Sequence, residues 1–335
     1  MKPRNKFWFF LLTLLGLILL QVSSCKKENL PKVTTVNIIK FTQASASSGS
    51  IITDDGGAMI ISRGVCWSNS QNPTISHNKT TDGAGAGYFV SSITGLSPST
   101  TYYVRAYATN SAGTAYGEET VFRTYQDYIF DEDSNGYGTI IIGEQEWMAE
   151  NLKTTTYNNG VSIPNVSDDL NWAKSTSGAY CWYKNDKTQF GDAYGALYNW
   201  HAVNTGNLCP KGWHVPTDAE WGTLVQFIDP TSSTFVSFIA GGKLKSTRTA
   251  PDAHPRWDSP NVGAIDEYGF SALPAGYRDT DGTFDGALYT CFFWSSSEKN
   301  ALFGQCRGIY NIDSNIGWSY LNKQDGFSVR CLRDS

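Results

Sequence analysis

Seven cysteines have the widest chemistry open to them in this 335-residue chain: Cys25, Cys66, Cys181, Cys209, Cys291, Cys306 and Cys331. A thiolate attacks acyl groups, exchanges disulfides and binds soft metals. No two of these cysteines form Cys-x-x-Cys, so thiolate metal sites and thioredoxin-like redox chemistry have no motif here. The four histidines, His77, His201, His214 and His254, are too scattered for a zinc site. Asp131-Glu-Asp133-Ser-Asn135-Gly136 has the look of a calcium loop. Counting from Asp131, however, the position where an EF-hand needs a bidentate glutamate is Ile142. The stretch therefore reads as a polar hairpin turn on Asn135-Gly136. Asp279 and Asp281 are two carboxylates in one loop, and spacing alone does not make them a glycosidase pair. Gly-x-Ser-x-Gly, His-Glu-x-x-His and a phosphate loop are all missing. No catalytic constellation and no cofactor is expected.

The elements around these residues are legible in part. Thr217 followed three residues later by Glu220 is a capping box, with Asp218 in the first turn. Trp221, Leu224, Val225 and Ile228 then recur at helical spacing, and Asp229-Pro230 ends the helix. Cys209-Pro-Lys-Gly-Trp213 leads into it. Thr139 to Ile142 makes the return strand of the hairpin. Gly195 to Val203 reads as a short helix with Leu197, Trp200 and His201 on one side, His201 at the edge of the core. Lys245 to Val262, holding Pro251, Pro255 and Pro260, is an ordered but irregular loop. Strand-like runs follow at Gly269–Arg278, Cys291–Glu298, Cys306–Tyr310 and Gly326–Arg333.

The N-terminus sets the compartment. Lys2, Arg4 and Lys6 precede an apolar run from Phe7 to Leu20, which suits a signal-peptide core and is short of the about 20 residues a spanning helix needs. Val22-Ser-Ser-Cys25 resembles a bacterial lipobox, which implies a signal peptide at 1–24, lipidation of Cys25 and a tether over 25–32. The next residue is Lys26 and not aspartate, so the expected location is the outer membrane. Outside the cytoplasm the other six cysteines are free to form disulfides, and sequence alone leaves their pairing open. The net charge of -5 comes with no basic stripe, which excludes nucleic acid as a partner. Charged residues make up 17% and aromatics 14%, with eleven tryptophans, the composition of a strand- and loop-rich extracellular protein.

The chain divides near Thr124–Asp127. Short strands between Gly/Ser/Asn turns over 33–124 suggest an all-β sandwich. Within it, Tyr102, Val104, Ala106 and Ala108 share one face by alternation. The spacing Leu96-x-Pro98-x-Thr100-x-Tyr102 resembles the fibronectin type III family, and the resemblance gives Tyr102 the role of the tyrosine corner. Cys66 reads as a small buried apolar residue. A sandwich of this kind serves as a spacer lifting the next domain off the membrane.

Over 127–335 the motifs Trp147-Met-Ala-Glu-Asn-Leu152, Leu197-Tyr-Asn-Trp200, Cys209 to Trp221, Gly269 to Arg278, Phe293-Trp-Ser-Ser-Ser297 and Phe327-Ser-Val-Arg-Cys331 resemble, in order, the Fibrobacter succinogenes major paralogous domain family. The resemblance implies an α+β, C-type lectin-like fold shared with formylglycine-generating enzymes. It also implies a Cys209–Cys331 disulfide. Cys291 and Cys306, close together in the sequence, are then the next expected pair, with Cys181 left over. The calcium-site tripeptides of sugar-binding C-type lectins are missing, and Ala250-Pro-Asp252 and Arg256-Trp-Asp258 only echo them. The expected function is a cell-envelope lipoprotein held to the membrane by the lipid on Cys25, acting as a surface binding or adhesion module for a glycan or protein. Trp257, Asp258 and Arg278 are the candidate ligand face. The alternatives are a formylglycine-type oxidase, which needs Cys306 and Cys331 as a free thiol pair, and a passive structural surface protein.

Overall fold

The computed structural model describes residues 27–232 and 236–335. The signal segment 1–24 and the lipidation site Cys25 lie outside the described residues. The chain forms two compact units. One takes residues up to Asn37, Ser48–Ser91 and Val104–Thr120, and the other Ile38–Ser47, Ser92–Tyr103 and Val121–Ser335.

The N-terminal strands are β1 (Lys32–Phe41), β2 (Ser45–Asp54), β3 (Ser62–Ser68), β4 (Asn78–Lys79), β5 (Gly87–Thr94), β6 (Thr101–Asn110), β7 (Gly113–Tyr116) and β8 (Thr120–Arg123). They form two sheets, ordered β1-β2-β5 and β4-β3-β6-β7, with β8 also on β6. Alternation along β6 buries Tyr102, Val104, Ala106 and Ala108. The Tyr102 hydroxyl accepts a hydrogen bond from the Ser97 N–H at 3.0 Å. That is the tyrosine corner the fibronectin resemblance implied. Cys66 is buried, as expected, and burial pushes its thiol up to about 11.

The large domain begins with a hairpin, β9 (Tyr128–Phe130) against β10 (Gly136–Ile142). Its turn is organised by Asp131. One carboxylate oxygen accepts from the N–H groups of Asp133 and Asn135. The other accepts from the Tyr137 hydroxyl at 2.6 Å. Next come β11 (Gln145–Met148), helix α1 (Asp169–Ala173), β12 (Tyr180–Cys181), α2 (Asp192–Tyr194), β13 (Leu197–Tyr198), α3 (Trp200–Val203), β14 (Trp213–His214), α4 (Asp218–Ile228) and α5 (Ala240–Leu244). The chain ends with β15 (Ala275–Arg278), β16 (Phe284–Ala287), β17 (Thr290–Glu298), β18 (Phe303–Tyr310), β19 (Gly317–Asn322) and β20 (Leu332–Arg333).

Two five-stranded sheets result, β14-β20-β11-β10-β9 and β16-β15-β17-β18-β19, besides the ribbon β12-β13. Helix is sparse among the described residues and does not by itself support the α+β lectin-like architecture. The expected helix over Gly195–Val203 is split in two. Gly195 adopts φ 82, Leu197–Tyr198 pairs as a strand, and the Asn199 side chain caps only the short α3. By contrast, α4 starts at the predicted capping box, with both reciprocal bonds between Thr217 and Glu220 present.

Strand β17 is covered on both faces, which explains the continuous apolar run Cys291-Phe-Phe-Trp294. Trp294 and Cys306 join the core that contains Tyr198, Trp200, Cys209 and Cys331. Cys291, Phe293 and Ile309 join the opposite core, with Trp147, Phe270 and the Trp221, Leu224, Val225 and Ile228 face of α4. This parity overturns the expected Cys291–Cys306 bond. Cys291 stands opposite Ile309, and Cys306 stands opposite Trp294. The two sulfurs therefore sit on opposite faces, and both cysteines are free and buried. Cys209 and Cys331 are bonded, with a Cα separation of 6.0 Å across 122 positions of sequence. A loop that long contributes about 4–5 kcal/mol on the chain-entropy model. The Cys209→Ser/Cys331→Ser variant should lose a stability of that size in guanidinium unfolding, with near-native far-UV dichroism before the transition.

Candidate functional site

The three residues expected to form a ligand face do not form one. Trp257 is fully buried, and its Nε1–H donates to the Ala272 carbonyl at 2.9 Å. The reason lies in the loop it belongs to. The Lys245 ammonium enters the interior and donates to the carbonyls of Val262, Tyr310 and Asp313, drawing the loop inward. Arg278 is also fully buried, stacked between Trp172 and Phe284 at 4.6 and 4.7 Å. Its guanidinium donates to the carbonyls of Val166, Ser167 and Gly282 and to the Asp169 carboxylate. Asp258 is partly buried and faces Arg256 at 3.4 Å. All three hold the scaffold together.

The thiol-pair alternative loses one member, because Cys331 is bonded to Cys209. Cys306 is free, and burial followed by the Asp325 charge raises its pKa. Burial pushes the Cys181 and Cys291 thiols up to about 12. None of these is an activated nucleophile. Among the described residues no three His, Cys, Asp or Glu side chains converge as a metal site would require. No described helix is long and apolar enough to cross a membrane.

Tryptophan exposure singles out a different place. Of the ten described tryptophans eight are buried, leaving Trp67 and Trp318. Trp318 lies on β19, the last strand of its sheet. Side chains alternate along a strand, so Trp318 and Tyr320 emerge on one face. Register places Arg307 opposite Trp318 and Gln305 opposite Tyr320, with Phe303 completing that row of β18. Arg307 is buried, and its guanidinium pairs with the Asp218 carboxylate at the start of α4, which anchors this face to the capped helix.

Lys299, Asn300, Phe303, Trp318, Ser319 and Tyr320 line a groove of about 560 Å³. The Trp318 and Tyr320 rings meet edge to face, 4.5 Å apart at 77°. The Lys299 ammonium lies 3.7 Å from the Tyr320 ring centroid. Lys299 forms no salt bridge among the described residues, since the neighbouring Glu298 is taken by Lys323. The Asn300 side-chain oxygen accepts from the N–H groups of Leu302 and Phe303 at 2.9 and 3.0 Å, leaving its amide N–H groups available. The result is an aromatic platform flanked by a cation and an amide, with no carboxylate in its lining. Such a surface can stack on the C–H face of a sugar ring, donate to hydroxyls and attract an acid group. Sequence reasoning passed over it. Its only signal was the alternating Trp318-Ser-Tyr320, short and without a charge beside it.

The loop leaving β19 carries one poorly placed charge. Asp325 is 7% exposed, and its Oδ1 has no partner among the described residues. Burial, and then the Asp279 charge, push its carboxyl from 3.8 up to about 7. The folded state therefore binds this proton more tightly than the unfolded state. The associated stability is complete below about pH 4 and is lost as pH rises through about 7.

Two measurements follow from these groups. In a soluble chain of residues 27–335, thiol titration at pH 8 should find almost no reaction in the native state, and four thiols once guanidinium unfolds the protein. Asp325→Asn should match the parent in melts at pH 4 and exceed it by a few kcal/mol at pH 8, because the amide stays neutral where the buried carboxyl must ionise.

No curated protein matches the chain. Among solved structures, the sensor domain of the anti-sigma factor RsgI4 in Pseudobacteroides cellulosolvens is 14% identical and matches 29% of this chain and 97% of its own, with a TM-score of 0.23. The FN3 domain of human collagen XX is 17% identical and matches 29% of this chain and 95% of its own, also at 0.23. The family model described as the Fibrobacter succinogenes major domain matches residues 140–333, which include β11 to β20, the Cys209–Cys331 bond and the whole Trp318 groove. The chain belongs to the Fibrobacter succinogenes major domain family.

Proposed function

We propose that this protein is a lipid-anchored module of the outer membrane whose large domain binds an acidic glycan in the Trp318 groove. The observation that carries this reading is the Trp318–Tyr320 ring pair with the Lys299 ammonium beside it and no acidic residue in the lining. Rings give sugar-face contact with little loss of side-chain freedom, and an unpaired ammonium at the rim favours a uronate or sulfate over an uncharged unit. The lipobox at Cys25 supports the membrane tether. The bond from Cys209, just ahead of the capped helix, to Cys331 near the last strand supports a C-type lectin-like arrangement of the domain. The role is binding, with a protein ligand as the competing outcome.

The check is migration of the soluble chain in native gels containing polygalacturonate or alginate. The parent protein should be slowed, and increasingly so at low salt. Trp318→Ala should weaken binding about tenfold or more, from the loss of ring contact. Lys299→Met should bind more weakly and lose the salt dependence. Equal migration of parent and Trp318→Ala, or no slowing in either polymer, would overturn the assignment and direct the search to protein ligands.

A further inference from the structure

Trp67 is the other described tryptophan that is not buried, and it lies among the N-terminal strands. It stands on β3 directly opposite Asn78 of the two-residue edge strand β4. Indole and amide therefore emerge on one face, with Cβ atoms about 5 Å apart. Ser68, Asn69, Ser76 and His77 complete a groove of about 420 Å³.

One wall of this groove is held in place by the protein itself. In the loop from Asn72 to His77, the Asn72 N–H donates to the Glu119 carboxylate, and the Ile75 N–H donates to the Tyr116 hydroxyl at 3.1 Å. The Lys79 ammonium donates back to the Ile75 carbonyl at 3.0 Å, so this nearest cation is occupied. The Thr74 N–H donates to His77 Nδ1 at 3.0 Å, an arrangement that leaves the proton of the neutral ring on Nε2 as a donor. Asn69 and Asn78 make no side-chain hydrogen bond to any described residue. No carboxylate, ammonium or guanidinium lines the groove.

We propose that the Trp67 groove is a second binding site, for an uncharged sugar unit of a polysaccharide. A pyranose offers a face of C–H groups and a rim of hydroxyls. The indole takes the face, and the two amides, the two serine hydroxyls and His77 Nε2–H take the rim. An ionic ligand finds no counter-charge here, and a purely apolar one leaves the amides unpaired. The anchored loop lowers the ordering cost of binding. The site stands on residues separate from the Trp318 groove and differs from it in lacking a cation. The sandwich becomes a binding module in its own right, beyond the spacer role its sequence suggested.

The test uses the soluble chain of residues 27–335 in native gels containing mannan, mixed-linkage β-glucan or starch. In at least one polymer, the parent and Trp318→Ala should be slowed alike, and salt should not change the slowing. Trp67→Ala should bind about tenfold more weakly or worse. If Trp67→Ala melts below the parent, the decision passes to Asn69→Ala/Asn78→Ala, whose side chains are exposed and should lose binding at unchanged melting temperature. The proposal is overturned by three results: free migration of the parent in all three polymers, parent-like slowing of both the Trp67 and the asparagine variants, or a loss of slowing confined to Trp318→Ala. The last result would move neutral sugars to the other groove, and the acidic-glycan reading is decided separately by its own polymers.

Discussion

A guanidinium that meets no water holds the large domain together. Arg330 is fully buried, and its Nε–H donates to the Asn151 side chain at 2.8 Å. Its remaining groups donate to the carbonyls of Met148, Phe270 and Ser271. The ring of Phe270 lies 4.5 Å away and that of Phe293 5.6 Å away. A charge in such a place is tolerable only with its hydrogen bonds satisfied. Here the acceptors come from Trp147–Leu152 and Gly269–Arg278, two of the stretches that carry the family resemblance. The arginine comes from a third. The three stretches, far apart in the sequence, converge on one cation.

The second constraint is the two-sided burial of β17 and β18. Phe293 faces the core with Trp147 and α4, and Trp294 faces the core with the disulfide. A strand with no wet face needs edges that stay soluble, and β19 supplies one. Among the described residues it pairs with β18 alone, and its half-buried Trp318 and Tyr320 line the groove beside Lys299. The groove is thus a by-product of where the covered part of the sheet stops.

How much of this the sequence revealed follows from the range of each interaction. The capping box of α4 and the Tyr102 corner are local, since each is written in residues a few positions apart. The hairpin expected to turn on Asn135-Gly136 turns one step earlier, over residues 131–135, with Gly136 already in β10 and paired opposite Phe130. The Cys209–Cys331 bond was legible only through family resemblance, because no local rule selects one pairing among six cysteines. Cys291–Cys306 failed because proximity in sequence says nothing of strand parity. Trp257 and Arg278 failed for a related reason. A loop with prolines, an aspartate and an arginine looks exposed until a distant set of carbonyls draws Lys245 inward and Asp169 claims the guanidinium. Trp318 was missed because two aromatics on a strand read the same whether they face a core or a ligand.

The strand order β14-β20-β11-β10-β9 puts Leu332–Arg333 in the interior of a sheet whose other strands all precede it in the chain. Trp147 and His214 both pair with Leu332. Until that strand is in place, β14 has no strand to bond to and β11, already paired with β10, keeps one edge open. Closure then waits for the segment that carries Arg330 and Cys331. Completion of this one sheet, and with it the Cys209–Cys331 bond, is therefore a late step set by long-range contacts.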